Sequence, residues 1–146
     1  MQVLDIIGGT IVDGPGLRTS IYFAGCNHRC PGCHNPQSWD PHAGNPMTPA
    51  RIFDIVEENG FNVTFTGGDP LMQINDGLIE LSRLIKATGK TIWCYTGYTI
   101  EEIRNDPALQ PILEVVDVIV DGPFIESLRD ITLPFRGSSN QRIIKL

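Results

Sequence analysis

Residues 19–36 read TSIYFAGCNHRCPGCHNP, a strand-like run that passes directly into a loop with three cysteines. The segment Thr19–Ala24 is β-branched and aromatic, which is typical of a buried strand. Cys26, Cys30 and Cys33 then fall within eight positions. Three cysteines suit a disulfide framework poorly, and they are one short of the four ligands of a closed structural zinc site. The spacing therefore indicates a site with its own chemistry at the end of a strand.

Strand-like and helix-like segments alternate along the rest of the chain. The predicted strands are Val3–Ile7, Thr19–Ala24, Asn62–Thr66, Thr91–Tyr95, Val115–Val120 and Gln141–Leu146, and the predicted helices follow Thr48, run from Asn75 to Thr88, follow Thr99 and cover Pro107–Leu113. Thr48 before Pro49 is a typical helix start, and Gly60 is a typical helix end. Thr99 and Glu102 form a capping box at the start of the third helix.

The alternation of strands and helices predicts an α/β fold with a mainly parallel sheet and right-handed crossovers. A chain of 146 residues is too short for eight βα units, so we expect a partial (open) βα barrel in a single domain, residues 1–146. Such sheets bind ligands at the carboxyl ends of their strands. Four unusual loops follow predicted strands and should meet at that edge: GCNHRCPGCHN, TGGDP, YTGY and VDGPF.

Composition narrows the classes of function. The formal net charge is −6, which argues against a nucleic-acid partner, because such a protein needs a basic face. The sequence shows no signal peptide and no apolar run long enough for a membrane span, so we expect a cytoplasmic protein without a membrane partner. In that reducing compartment, clustered cysteines more often mean metal or redox chemistry than structural disulfides.

The residues alone leave four interpretations of the cysteine loop open. The cysteines could be incidental, although three in eight positions makes that a poor explanation. Cys30 and Cys33 could form a redox pair, which leaves Cys26 unexplained. A zinc site would need a fourth ligand. His34 adjoins Cys33, so one backbone can hardly direct both side chains at one metal, and His28 or Cys94 remain the candidates. An iron–sulfur cluster held by three thiolates would leave one iron open to a substrate.

The motifs resemble a known superfamily. C-x3-C-x2-C after a strand, with GGDP after the next, resembles the radical S-adenosylmethionine (SAM) superfamily. The stretches DGPGLRTSIYFAGC, CPGCHNPQSWD and DGPF followed by FRGSSNQRII are similar to the activating proteins of anaerobic ribonucleoside-triphosphate reductases. Many superfamily members carry an aromatic residue where this chain has Gly32. The narrower family resembles this chain in having Pro-Gly before the third cysteine.

This resemblance implies a [4Fe-4S] cluster bound by Cys26, Cys30 and Cys33, with SAM on the fourth iron. Reductive cleavage of SAM would yield methionine and a 5′-deoxyadenosyl radical, which would take a hydrogen atom from a backbone glycine of the reductase. The resemblance thus implies the anaerobic ribonucleoside-triphosphate reductase as protein substrate, and an electron donor such as flavodoxin or ferredoxin.

The expected SAM contacts lie in two loops. By resemblance, Gly68 and the backbone of Gly32, Cys33 and His34 contact SAM. Gly67 and Gly68 have no Cβ, so we expect a ligand to approach their backbone closely. Asp69 is expected either to orient the chain locally or to bind the SAM ammonium through a charge-assisted hydrogen bond.

Other residues and functions complete the expectations. His28 and His42 are expected to face solvent, and Cys94 to be a small buried apolar residue. We expect an open-sided site that the reductase covers, with Phe124–Arg136 or Gly137–Asn140 near the contact. The alternative functions are activation of another glycyl-radical enzyme, such as pyruvate formate-lyase, and a non-catalytic zinc-binding module.

Overall fold

Seven strands form one sheet in the computed structural model of the protein, which describes residues 1–146. The strands are β1 (Gln2–Thr10), β2 (Arg18–Phe23), β3 (Asn45–Pro46), β4 (Asn62–Gly67), β5 (Ile92–Tyr95), β6 (Val118–Asp121) and β7 (Arg142–Lys145). The α-helices are α1 (Pro49–Asn59), α2 (Leu78–Ala87) and α3 (Ile100–Asn105), and 3₁₀-helices cover Pro36–Ser38, Pro70–Asp76, Gln110–Glu114 and Glu126–Leu128. None of these helices is long and apolar enough to cross a membrane.

The strand order in the sheet is β3-β1-β2-β4-β5-β6-β7. The central strands β2, β4, β5 and β6 pair in parallel, whereas β1, β3 and β7 join through antiparallel pairs at the two sides. The predicted α/β class and mainly parallel sheet are confirmed, and the sheet is open. All four central strands end at the same edge, where the four predicted loops follow them.

Local sequence signals explain most element boundaries. The Thr48 side chain accepts a hydrogen bond from the Arg51 N–H at 3.1 Å, and Gly60 ends α1 in the left-handed conformation with φ 77°. Both hydrogen bonds of the predicted capping box, between Thr99 and Glu102, are present at the start of α3. These helix termini are confirmed as the sequence predicted them.

The helix predicted from Asn75 to Thr88 is wrong at its start. Gly77, with φ 118°, separates the 3₁₀-helix Pro70–Asp76 from α2. A left-handed residue cannot continue an α-helix, and the chain turns there. The segment predicted as a helix at Pro107–Leu113 is likewise a 3₁₀-helix, at Gln110–Glu114.

Both faces of the sheet are covered, as the continuously apolar β6 segment predicted. On one face, α1, α2 and the sheet enclose a core of 19 buried residues that includes Phe23, Phe65 and Cys94. On the other face, Trp93, Val118 and Val120 are covered by Phe135 and Ile143.

The second face also buries a charge. Arg18 is 2% exposed, and its Nε donates to Thr64 Oγ1 at 2.9 Å while Nη2 donates to the Val63 carbonyl at 2.8 Å. The guanidinium carbon lies 5.8 Å from the centre of the Trp93 ring. These contacts compensate the cost of burying the cation and close the amino-terminal end of this face.

Candidate functional site

The four predicted loops come together around one cavity of about 480 Å³ at the carboxyl ends of β2, β4, β5 and β6. The loop residues that line it include Cys26, His28, Cys30, Cys33 and His34 after β2, Gly67 and Gly68 at the end of β4, Thr96 and Gly97 after β5, and Gly122 and Phe124 after β6. A volume of this size is typical of a site for a small molecule or cofactor. The prediction that these loops meet at one edge of the sheet is confirmed.

The three loop cysteines, Cys26, Cys30 and Cys33, all line the cavity, and each is a free, partly exposed thiol. Within the loop the Cys33 N–H donates to the Cys30 carbonyl at 3.0 Å, and the Asn35 N–H lies 3.4 Å from Cys33 Sγ. No three His, Cys, Asp or Glu side chains are placed to hold one metal ion together. The three thiols are distributed along the wall of the cavity.

The backbone between Cys26 and Cys30 is strained. Arg29 has φ 47°, in the left-handed region that a residue with a side chain rarely adopts. Such a residue costs about 1–3 kcal/mol, and it persists when surrounding contacts hold it. Here the Arg29 guanidinium lies 5.7 Å from the centre of the Trp39 ring. This left-handed residue lies between two cysteines that both line the cavity.

Cys26 and Cys94 differ in their electrostatic surroundings. Burial raises the pKa of the Cys26 thiol, and backbone hydrogen bonds from His28 and Arg29 partly offset that shift. A thiol must lose its proton to bind a metal, so these backbone donors favour the form that binds. Burial raises the pKa of Cys94 well above its usual value, and that residue is fully buried in the helix-side core. The prediction that Cys94 is a small buried apolar residue is confirmed.

Gly67 and Gly68 line the cavity with their backbone, but ligand approach does not explain why both are glycines. A Cβ on Gly67, which has φ 101°, would lie 2.5 Å from the Phe23 backbone N and O. A Cβ on Gly68 would lie within 3.0 Å of the Gly25 and Ser38 carbonyl oxygens. Both glycines are needed because the β4 loop packs directly on the backbone of β2 and of the cysteine loop.

Asp69 is buried behind this wall, with 1% of its surface exposed. Its Oδ1 accepts a hydrogen bond from the Leu71 N–H at 3.0 Å and so caps the 3₁₀-helix that follows. Its Oδ2 accepts from Thr96 Oγ1 at 2.9 Å and from the Gly97 N–H at 3.0 Å. Of the two roles expected for Asp69, these contacts support local orientation of the chain.

The expectation that His28 faces solvent is wrong. Its side chain is 18% exposed, and its Nε2 lies 2.8 Å from Asp69 Oδ2. The ring meets the Tyr98 ring edge to face, with the centroids 4.6 Å apart. The hydrogen bond to Asp69 raises the pKa of His28, although burial opposes it. The only sequence signal for this role was the position of a histidine between two of the loop cysteines.

His34 and Gly32, two of the predicted SAM contacts in the cysteine loop, both lie against the chain that follows β6. The His34 ring lines the cavity and meets the Phe124 ring edge to face, at 5.2 Å between centroids. Gly32, with φ 74°, is not among the lining residues, and a Cβ there would lie 2.9 Å from the Glu126 carboxyl carbon. A side chain there would displace the flexible Glu126 carboxyl group, and the positive φ itself favours glycine.

The segment 122–141 forms one side of the cavity through Leu133, Phe135, Arg136 and Gly137. The Gln141 side chain holds it in place, because Nε2 donates to the Gly122 carbonyl at 3.0 Å and Oε1 accepts from the Gly137 N–H at 2.9 Å. Arg136 is the only Arg or Lys that lines the cavity, and its buried Nε has no hydrogen-bond partner. From the sequence, Arg136 is expected only at the contact with the reductase, and no cation is predicted in the cavity wall.

One carboxylate, that of Asp13, lies on the second face of the sheet beside the cavity. Asp13 Oδ2 accepts hydrogen bonds from the Tyr22 hydroxyl at 2.8 Å and from Ser20 Oγ at 3.0 Å. Burial and the hydrogen bond to Asp13 raise the pKa of Tyr22 to about 12. Asp13 belongs to the DGPG stretch, so this motif contributes a carboxyl group to the cavity wall.

Comparisons with known proteins agree on one family. A family model described as the 4Fe-4S single cluster domain matches residues 12–144. The anaerobic ribonucleoside-triphosphate reductase-activating protein of Escherichia coli (strain K12) is 37% identical over 140 residues, which cover 90% of each chain. The protein of that name from Haemophilus influenzae is 32% identical over 157 residues, covering 98% of this chain and 97% of the other. That from Enterobacteria phage T4 is 35% identical over 139 residues, covering 90% and 86%.

Proposed function

Because this chain belongs to the family of anaerobic ribonucleoside-triphosphate reductase-activating proteins, we propose that it cleaves SAM reductively and generates a glycyl radical on such a reductase. The observation that carries the proposal is the shared cavity. Three free thiols from one loop line the same wall as the backbone of Gly67, Gly68 and Gly97. A cluster and a small molecule beside it would therefore have ligands from adjoining loops.

The residues of the cavity fit a [4Fe-4S] cluster. Cys26, Cys30 and Cys33 would hold three irons, and one iron would have no protein thiolate. When bound, the cluster would supply the electron for SAM cleavage. The chain's own part is to present three thiolates, and the backbone N–H groups near Cys26 favour the deprotonated thiol there.

For SAM, the proposed contacts divide into direct and supporting ones. Gly67, Gly68, Cys33 and His34 line the cavity and can offer backbone groups to the ligand. Gly32 and Asp69 lie outside the lining, so we assign them supporting roles: Gly32 supplies the left-handed turn within the cysteine loop, and Asp69 fixes the positions of the loops.

The open sheet is proposed to be the partial βα barrel of the radical SAM type, in a single domain of residues 1–146. The cysteine loop at its edge would receive the electron from a donor such as flavodoxin or ferredoxin. The reductase would meet the chain near Phe124–Arg136 or Gly137–Asn140, beside the cavity. Exposed apolar side chains in this region, Ile125, Leu128 and Ile131, support that assignment.

The test is anaerobic purification and reconstitution, followed by three measurements. Iron and acid-labile sulfide should be present, the spectrum of the reduced cluster should change on addition of SAM, and a glycyl radical signal should appear on the reductase. Zinc without iron would favour the non-catalytic module. If SAM is cleaved but a glycyl radical forms only on another enzyme, such as pyruvate formate-lyase, the proposed chemistry would stand and the proposed partner would be wrong.

A further inference from the structure

The cysteine loop has few attachments to the rest of the cavity. At its start, the Gly25 N–H donates to the Ser38 carbonyl at 2.7 Å, and the Gly25 carbonyl accepts from the Asp69 N–H at 2.7 Å. Beyond that point, between residues 27 and 33, the hydrogen bond from His28 to Asp69 is the only one that reaches another loop of the cavity. The position of the loop relative to its neighbours therefore depends strongly on one side chain.

The direction of this hydrogen bond follows from its neighbours. The Tyr98 N–H donates to Thr96 Oγ1 at 3.1 Å, so the Thr96 hydroxyl proton is free to point to Asp69 Oδ2. The Gly97 N–H donates to that same oxygen. An oxygen that already accepts from two donors acts as an acceptor for the third, so His28 Nε2 carries its hydrogen and donates it.

The shape of the β5 loop is matched to the His28 ring. A Cβ on Gly97 would lie 2.5 Å from His28 Cδ2, so any larger residue there would displace the imidazole. Tyr98 meets the ring from another side at 4.6 Å between centroids. The ring is thus held by a hydrogen bond, by the open space over a glycine and by an aromatic contact.

We propose that His28 is a positioning residue for SAM binding, because it joins the cysteine loop through Asp69 to the loops after β4 and β5. This inference rests on the proposed function. The three thiols belong to one loop, whereas Gly67, Gly68 and Gly97 belong to the other two. A ligand that touches the cluster and these backbones together requires a fixed spacing between the loops, and His28 sets that spacing. Without this hydrogen bond the cysteines still bind iron, but the spacing is no longer held.

The test compares substitutions that separate the hydrogen bond from the ring. His28→Phe keeps an aromatic ring against Tyr98 and Gly97 but cannot donate to Asp69. His28→Gln and His28→Asn both carry an amide donor, but only Gln places its nitrogen where His Nε2 lies. His42→Phe is the matched control, because His42 is exposed. Iron content, the thermal midpoint and a SAM titration of the reduced-cluster spectrum are measured for each.

His28→Phe and His28→Asn should retain iron at the parent level while their affinity for SAM falls by about ten-fold or more, as expected for loss of a hydrogen bond to a charged group. His28→Gln should stay within about three-fold of the parent, and His42→Phe should match it. Unchanged SAM affinity in His28→Phe, or equal losses in the Gln and Asn variants, would overturn the inference. So would loss of iron in His28→Phe, since His28 would then retain the cluster. A parent protein with iron but no response to SAM would overturn the proposed function itself.

Discussion

Substitution of Gly68 by alanine separates two explanations of the GGDP motif. If a ligand approaches this backbone, as the sequence suggested, a side chain here should block SAM and leave the cluster intact. In the structure, the Cβ points instead at the Gly25 and Ser38 carbonyl oxygens, within 3.0 Å of both. These are backbone atoms, so no rotamer change can relieve the contact. The β4 loop and the cysteine loop must move apart.

The cost can be worked from the contacts involved. Crowding a packed region costs about 1–3 kcal/mol, and each weakened backbone hydrogen bond adds about 0.5–1.5 kcal/mol. Two such bonds join the loops here, from the Gly68 N–H to the Phe23 carbonyl at 2.8 Å and from the Asp69 N–H to the Gly25 carbonyl at 2.7 Å. The free energy of unfolding should therefore fall by roughly 2–6 kcal/mol in Gly68→Ala.

Urea unfolding of the reduced protein gives the free energy, and iron analysis after reconstitution gives the effect on the site. Gly89→Ala is the control: Gly89 has φ 85° and nothing within 4 Å of a Cβ, so only the left-handed backbone penalty of about 1–2 kcal/mol applies. Gly68→Ala should be the less stable variant, and iron retention and SAM affinity should fall together. A Gly68→Ala protein with normal iron, normal stability and no SAM binding would refute this explanation and restore the ligand-approach one.

Three further predictions follow from other parts of the molecule. Substitution of any of the three loop cysteines by serine should abolish iron retention. Cys94→Ser should keep the iron content near the parent level, because Cys94 lies in the core. An equal loss of iron in Cys94→Ser would make Cys94 a fourth ligand. The pKa of Glu101 is lowered to about 2, mainly by its hydrogen bonds to Arg142. The contribution of Glu101 to stability should therefore be complete above the unfolded pKa of about 4.3. That contribution should be lost as the pH falls through about 2. An NMR titration should show this value in the parent and an ordinary one in Arg142→Met. Ile131 is 86% exposed beside the cavity, so Ile131→Asp should weaken radical formation on the reductase while SAM cleavage without the reductase stays unchanged.

The sequence predicted the central sheet well because its signals there are local. Each parallel strand is a short apolar run followed by turn residues, and each helix start carries its own cap. The directions of the strands outside the parallel centre, such as β1 and β7, could not be predicted from such patterns. β1 runs antiparallel to β2, as the short connection between Thr10 and Arg18 requires, since a parallel pair needs a crossover of a dozen residues or more. β7 is also antiparallel, and it is preceded by a long segment without an α-helix.

For the candidate site, the sequence predicted the motif residues but not the side chains that hold or line the cavity from other parts of the chain. The cysteines and the two glycines of GGDP stand out in the sequence, and the structure brings them to one cavity. The contributions of His28 and Arg136 depend on contacts with residues far along the chain or on burial, which no spacing rule reveals. Both glycines line the cavity, and the structure gives a physical reason for them that the sequence did not suggest, because they admit neighbouring backbone. Their contact with SAM stays a prediction.

The aspartate of GGDP, Asp69, does more than form a turn, because it also links the loops around the cavity. A turn needs only glycine and proline, and an Asp at that position would satisfy its local hydrogen bond through one oxygen. Here Oδ1 accepts the local hydrogen bond from the Leu71 N–H. Oδ2 accepts hydrogen bonds from His28 in the cysteine loop and from Thr96 and Gly97 in the β5 loop. Asparagine could accept through its oxygen at one position only, and its amide would face donors at the other. The carboxylate is therefore the group that can hold three loops at once, and the rigidity of the cavity depends on its having two acceptor oxygens.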